Sequence, residues 1–325
     1  MILKIFILVL IILLVPQIYF LFKNGQKERN VSEVFIKGED FSFLGSDNLF
    51  IHGKIYKVSN PKAIVQIIHG ALEHKERYIE IIRFLNNNGY SAVICDNRGH
   101  GESTNERYPF GHFNNLSEII EDQIFINNYI RMHSQKNIYM LGHSLGSMFA
   151  RVFLQENDFR IQKLVLTGTV SYNPLVYLGI FIGNIINFYG GPYGKSKILN
   201  KLYEGNRSED WLSYNNENLK EVKNDPYMLP NFTNKGALTV FNTMKELKNY
   251  GKYKCKNKNL KILSITGIDD EVVGGKRGIL DTVRTLKKIG YKNIEYKIIP
   301  KMKHEVLREN NKEKVFNLIL EFFEG

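Results

Sequence analysis

The sequence predicts an α/β fold: a mostly parallel central sheet with helices on both faces and an inserted helical cap. Three observations predict it. From about residue 50, short β-branched apolar runs alternate with helix-length segments. Strands interleaved with crossover helices form parallel sheets covered on both sides. The alternation then stops for about 90 residues, Thr169–Lys258, and resumes. Finally, 325 residues with 43% hydrophobic and 24% charged side chains can bury a large core. That composition excludes a disordered chain. Two cysteines far apart, Cys95 and Cys255, exclude a disulfide scaffold.

Taken in order, the chain begins with Ile5–Phe22, an 18-residue apolar run broken only by Pro16 and Gln17. As a helix rising about 1.5 Å per residue it reaches about 27 Å, close to a hydrocarbon core. Nothing polar gives it a wet face, which argues against a buried soluble helix. No small-x-small cleavage site follows, and no Ala precedes Ala63. Residues 1–23 are therefore expected to be a membrane anchor, with a signal segment as the alternative. Lys23, Lys27, Arg29 and Lys37 outweigh Lys4 and the α-amino group, which favours a cytoplasmic body.

Residues 40–57 are expected to add antiparallel strands at one edge. Strands follow at Ala63–Ile68, Ser91–Cys95, Asn137–Leu141 and Lys163–Leu166. Helices lie between them at Tyr78–Asn88 and Leu116–Met132. Leu145, Met148, Phe149, Val152 and Phe153 share one helical face, at i, i+3, i+4, i+7 and i+8. After the 90-residue pause come a strand at Ile262–Thr266, a helix near Arg277–Ile289, a strand at Ile294–Ile299 and a helix at Glu313–Phe323. Cys95 falls in a buried strand, where it behaves as a small apolar residue.

In such sheets ligands meet the carboxyl ends of the strands. After Asn137–Leu141 comes Gly142-His143-Ser144-Leu145-Gly146, a G-x-S-x-G between a strand and an amphipathic helix. That context marks a strand–turn–helix elbow that holds a serine exposed. Ser144 is the candidate nucleophile. Attack on an acyl carbon needs two backbone N–H donors for the developing oxyanion. One follows the nucleophile, Leu145. The other lies in the loop after an earlier strand, in His69-Gly70-Ala71, at Ala71. The serine also needs an imidazole base and an acid to orient it. Gly267-Ile268-Asp269-Asp270-Glu271 and His304-Glu305 follow the last two strands, in the order Ser…acid…His. The acid is open among Asp269, Asp270 and Glu271. His304 is the histidine that follows a late strand.

With these pieces the chain resembles the α/β-hydrolase fold of the monoacylglycerol lipase and lysophospholipase family. The resemblance rests on His69-Gly70-Ala71-Leu72-Glu73-His74 with Arg77-Tyr78, on Asp96-Asn97-Arg98-Gly99-His100-Gly101-Glu102-Ser103, on the Ser144 pentapeptide, on Gly267-Ile268-Asp269-Asp270 and on His304-Glu305. It spans about residues 45–325. It implies Asp270 as the acid, three positions after the glycine, and a catalytic set of Ser144, Asp270 and His304. It implies oxyanion donors at Ala71 and Leu145, and a structural role for the Asp96–Ser103 loop. It also places a cap where the alternation pauses. Ser147 departs from the family, which often has a second glycine there.

The expected organisation is an anchor at 1–23, a core at 24–168 and 259–325, and a cap at 169–258. In the cap, Val176–Tyr189 is nearly all apolar; it roofs an acyl pocket, dips into a bilayer, or packs on the core. Asp210-Trp211-Leu212-Ser213 and Asp225-Pro226 resemble the later part of the bacterial lysophospholipase cap, with a packing role for Trp211. The formal charge is +11, from 44 basic and 33 acidic residues. Lys235–Lys261 holds eight Lys and one acid, Glu246. That segment is either a solvated connection or an attraction for anionic lipid. No nucleic-acid motif accompanies it. No metal motif and no dinucleotide fingerprint is present, so no cofactor is expected.

The function expected is a membrane-anchored serine hydrolase of lipid esters, monoacylglycerol or lysophospholipid. The alternatives are a small-ester esterase, a thioesterase or an aminopeptidase of the same fold. A different class is a non-catalytic lipid-binding membrane protein.

Overall fold

The computed structural model describes residues 3–7, 9–11, 14, 15, 31–37, 39–45, 47–205 and 207–325. Nine strands form one sheet: β1 (Val31–Lys37), β2 (Asp40–Gly45), β3 (Phe50–Tyr56), β4 (Ile64–Ile68), β5 (Ser91–Cys95), β6 (Ile138–His143), β7 (Lys163–Thr167), β8 (Lys261–Gly267) and β9 (Asn293–Ile299). Their order is β1-β2-β3-β5-β4-β6-β7-β8-β9. The first three and their junction with β5 are antiparallel, and every pairing from β5 to β9 is parallel. The antiparallel edge reaches one strand further than residues 40–57. Val31–Lys37 carries no alternation of buried and exposed positions that would make it stand out in the sequence: Val34, Phe35 and Ile36 are all exposed.

The core helices are α1 (Ile79–Asn87), α2 (Leu116–His133) and α3 (Leu145–Asn157). The period of two in the strands sorts their side chains between the two faces. Ile64, Ile68, Met140, Leu164 and Leu166 pack with Phe149 and Phe153 of α3 and Ile126 of α2 on one side. Val65, Ile67, Leu141 and Val165 pack with Ile82 and Leu85 of α1 on the other. Cys95 is buried among the first group.

Between β7 and β8 the insertion carries α4 (Val176–Gly190), α5 (Lys197–Glu204), α6 (Asn216–Asn224) and α7 (Asn234–Glu246). Thr233 caps α7 by accepting from the Gly236 amide at 3.0 Å. After β8 come α8 (Gly275–Ile289), then β9 and α9 (Lys312–Glu324).

The apolar helix α4 divides its surface. Val176, Gly179 and Gly183 are buried, the two glycines facing Phe241 and Leu238 of α7. Leu178, Phe181 and Ile185 point to solvent. It is thus neither wholly buried nor wholly a surface helix.

The basic segment runs from α7 to the amino end of β8, the end of the sheet opposite the serine. Lys248 pairs with Asp281 at 2.7 Å, and Lys252 with Glu246 at 3.0 Å.

Of the apolar run Ile5–Phe22, residues 5–7, 9–11, 14 and 15 are helical, and the rest lies outside the described residues. Among the described residues no helix is long and apolar enough to cross a membrane.

Candidate active site

Parallel register builds the site. Ile68 of β4 pairs with Gly142 of β6, and His143 pairs with Thr167 of β7. The loops that follow these strands therefore emerge side by side. Ser144 sits between β6 and α3 with φ 51° and ψ −116°. A β-carbon is strained in that conformation, and it projects the side chain away from both elements. Gly146 lets the elbow close, since a β-carbon there would lie 2.1 Å from the Ile68 carbonyl oxygen. The Ser147 hydroxyl, at the position that departs from the family pattern, donates to the Ser144 carbonyl at 2.6 Å. It braces the elbow from below.

The Ser144 hydroxyl lies 2.8 Å from His304 Nε2. On the far side of the ring, Nδ1 is 3.0 and 2.9 Å from the two carboxylate oxygens of Asp270. A carboxylate accepts, so Nδ1 carries the proton and Nε2 is left to accept from the serine. Burial pushes the Asp270 carboxyl up. The His304 ring and the amides of Val272 and Val273, at 2.9 and 3.2 Å, more than reverse this and hold it below the usual carboxylate range. The neighbouring acids face elsewhere. Asp269 accepts from the Tyr214 hydroxyl and Glu271 from Ser208. Of the three acids the residue pattern leaves open, Asp270 is the one that stands beside His304.

The amides of Ala71 and Leu145 donate to no protein acceptor among the described residues. Leu145 opens α3, where an amide has no partner within the helix. Ala71 is aimed by its neighbour. His69 Nδ1 lies 2.8 Å from the Gly70 carbonyl, while His69 Nε2 accepts from the Asn97 amide at 2.8 Å. The ring thus donates to Gly70, and the planar trans peptide turns the Ala71 N–H the opposite way. Gly70 approaches so closely that a β-carbon would stand 2.6 Å from Glu73 Oε1 and 3.1 Å from Ser144 Cβ.

Below this loop lies a charged cluster. Glu73 accepts from the Gly70 amide at 2.5 Å, from Tyr78 at 2.7 Å and from Arg77 at 3.1 Å. Arg77 also reaches Glu305, at 2.7 and 2.8 Å. The Asp96–Ser103 loop is structural: buried Arg98 pairs with Asp47, Glu118 and Asp122.

Two cavities open onto Ser144. One, of about 630 Å³, is lined by Leu145, Met148, Val170, Val176, Leu178, Val240, Phe241 and Met244, among others. The second, of about 530 Å³, is mixed: it carries Glu73, Lys201, Glu209, Lys223, His304 and Glu305 beside Leu72, Val222, Met228 and Leu229, among others. Tyr203, Glu204, Gly205, Arg207 and Trp211 border both. Trp211 packs on the His304 ring, centroids 5.0 Å apart. A packing role for Trp211 was expected, but not this partner. Arg207 and Asn218 carried no signal at all, because the insertion has no pattern that places its polar residues.

Comparison with known proteins agrees with this architecture. The family described as "Serine aminopeptidase, S33" (Hydrolase_4) matches residues 59–311. The chain is 31% identical to the phospholipase YtpA of Bacillus subtilis over 35% of its own length and 42% of that protein. It is 23% identical to a monoacylglycerol lipase of Mycolicibacterium smegmatis over 80% of its length and 87% of that protein. The chain spans about half the length of the first curated relatives it matches. Among solved structures, a lipase in open form superposes with a TM-score of 0.75 at 21% identity, covering 91% of this chain and 98% of that one. That likeness is one of fold.

Proposed function

The chain belongs to the "Serine aminopeptidase, S33" family of α/β-hydrolases, and from that premise we propose that it hydrolyses carboxylic esters of lipids through an acyl-enzyme. The observation that carries the reading is the relay from Ser144 Oγ through His304 to Asp270, at 2.8 and 2.9 Å, on the floor of an apolar cavity. His304 takes the Ser144 proton as the oxygen bonds to the acyl carbon. Asp270 holds the ring in the required tautomer and stabilises its positive form. The amides of Ala71 and Leu145 receive the oxyanion. The proton then passes to the leaving alcohol, and water repeats the sequence to free the acid.

The apolar cavity supports an acyl chain, and so a lipid ester such as a monoacylglycerol or lysophospholipid, over a small ester. The peptidase reading draws on the family description and on Glu204 and Glu209, which line the second cavity; a free amine would need such carboxylates. We read 169–258 as a cap over the core formed by 24–168 and 259–325. We also read 1–23 as a membrane anchor, supported by the apolar run alone, with the body on the cytoplasmic side.

Labelling with a fluorophosphonate probe tests the catalytic assignment. Wild type labels and Ser144→Ala does not; equal labelling of the two, or none of either, would overturn it. Turnover across mono-, di- and triacylglycerols, lysolipids, short p-nitrophenyl esters and aminoacyl-anilides then separates the esters from the peptides.

A further inference from the structure

We propose that Arg207 is a specificity-determining residue that receives a phosphate on the alcohol side of the ester, so that the preferred substrate is an acyl glycerophosphate ester and not a neutral acylglycerol. The inference rests on the hydrolase reading of Ser144 and assigns what lies opposite the acyl chain.

The first cavity is mainly apolar, the second mixes charged with apolar side chains, and the two meet at the serine. An ester whose carbonyl lies at Ser144 puts its acyl chain in the apolar one and its alcohol in the other. Arg207 stands on their common border. Its guanidinium lies over the Trp211 ring at 4.4 Å and over the Tyr203 ring at 4.9 Å. Stacking on two rings fixes the plane of the fork and leaves its edge open. Trp211 in turn packs on His304, so the cation stands one ring away from the base that serves the leaving oxygen.

That edge is underused. Among the described residues the guanidinium bonds only to Tyr203, donating to its carbonyl at 2.8 Å with the phenol oxygen close by. A guanidinium carries five N–H donors. Carboxylates border the same cavities, yet among the described residues none pairs with it. Glu271 is taken by Ser208. Glu73 and Glu305 are buried and held by Arg77. Two further cations, Lys201 and Lys223, line the second cavity, against Glu204 and Glu209. A planar, preoriented fork with free donors fits two oxygens of one phosphate. A glycerol hydroxyl would use none of its charge. The phosphate takes no part in bond making. The acyl carbon–oxygen bond still breaks at Ser144, and the glycerophosphate alcohol leaves with the proton from His304.

The test compares wild type, Arg207→Gln and Arg207→Lys on 1-oleoyl-lysophosphatidylglycerol and 1-oleoylglycerol in the same mixed micelles. Loss of a charged bidentate contact is expected to lower the ratio of kcat/KM for the phospholipid over the acylglycerol about tenfold in Arg207→Gln, through KM. Arg207→Lys recovers part of it. A ratio unmoved by Arg207→Gln overturns the proposal. Binding supplies a second readout that needs no turnover. On the Ser144→Ala background, the alkyl-ether analogue of the phospholipid should bind more tightly than the alkylglycerol ether, and Arg207→Gln should erase the difference. If wild type hydrolyses neither ester but this binding difference holds, the hydrolase reading falls and the anion site stands. If the two ethers bind alike, the anion site falls whatever the activity.

Discussion

The side-chain amide of Asn218 donates to the Glu305 carboxylate at 2.5 Å, and Glu305 is the residue after His304. Asn218 lies on α6 of the insertion, and its carbonyl oxygen accepts from Arg77 at 3.1 Å and from Arg308 at 2.8 Å. The Glu305 amide donates to the Leu212 carbonyl at 2.8 Å. The second half of the insertion is thus bolted to the loop that carries the base. The first half, α4 and α5, meets α7 instead. It presents Leu178 and Phe181 of α4, and Ile198 and Leu202 of α5, to solvent.

That bolt gives the first prediction. Asn218→Ala leaves Arg77 and Glu305 paired at 2.7 Å but removes three hydrogen bonds, those to Glu305 and Arg77 buried and that to Arg308 partly so. Leaving such groups short of partners costs about 1–3 kcal/mol. Urea denaturation should show a loss of that size. Because the loop beside His304 loosens, kcat should fall several-fold with KM little changed. A variant with wild-type stability and kcat would show that the contact positions nothing.

A second prediction follows from the Ser144 backbone. Its φ of 51° and ψ of −116° suit glycine, not a residue with a β-carbon. Ser144→Gly and Ser144→Ala both lose the hydroxyl, and both should be inactive. Only the glycine variant relieves the strain, so it should be more stable than the alanine variant by about 1–2 kcal/mol. Equal melting temperatures for the two would deny that the elbow is strained.

The third concerns the loop over the serine. At Gly70 a β-carbon would meet Glu73 Oε1 at 2.6 Å and Ser144 Cβ at 3.1 Å. Gly70→Ala should push the Gly70–Ala71 peptide away and spoil one oxyanion donor. Loss of one such donor costs about 10²–10³ in kcat. Steady-state kinetics on a p-nitrophenyl ester checks it, and a change confined to KM would count against the role given to Ala71.

What could be read from the sequence was whatever steric or periodic necessity imposed. The elbow at Ser144 needs glycines on either side, and the strands sort Val65 from Ile64 by a period of two. The acid was not legible from residue type alone, because Asp269, Asp270 and Glu271 stand together. Only the fold turns Asp270 toward His304 while Tyr214 and Ser208 take the other two. Asn218 acts through Glu305 and Arg308, 87 and 90 positions away. Arg207 acts through stacking within the insertion. Neither contact leaves a local pattern. β1 was hidden for another reason: Val34, Phe35 and Ile36 are all exposed at the sheet edge, so no alternation marks the strand.

The last prediction concerns acid. Among the buried histidines, four concern this prediction: His69, His100, His112 and His143. Burial pushes each of them down, His143 and His112 to about 4 and His100 to about 3. His100 Nε2 faces no hydrogen-bond partner among the described residues, and its ring stacks on Phe113, so a proton there would be stranded. The unfolded chain takes up these protons near pH 6.5 and the folded chain does not. Stability is therefore complete above about pH 6.5 and is lost as the pH falls toward the folded values, by about 1 kcal/mol per ring between pH 7 and 5.5. The carboxylates held low, Glu73 at about 2 and Asp270, act only in a lower window, where unfolded carboxylates titrate. Urea midpoints should stay nearly level between pH 7.5 and 6.5 and fall between pH 6.5 and 5.5, and His100→Gln, which cannot take up a proton, should make that fall shallower by one ring's share. A midpoint independent of pH across this range would mean that these rings are protonated alike in the folded and unfolded chain.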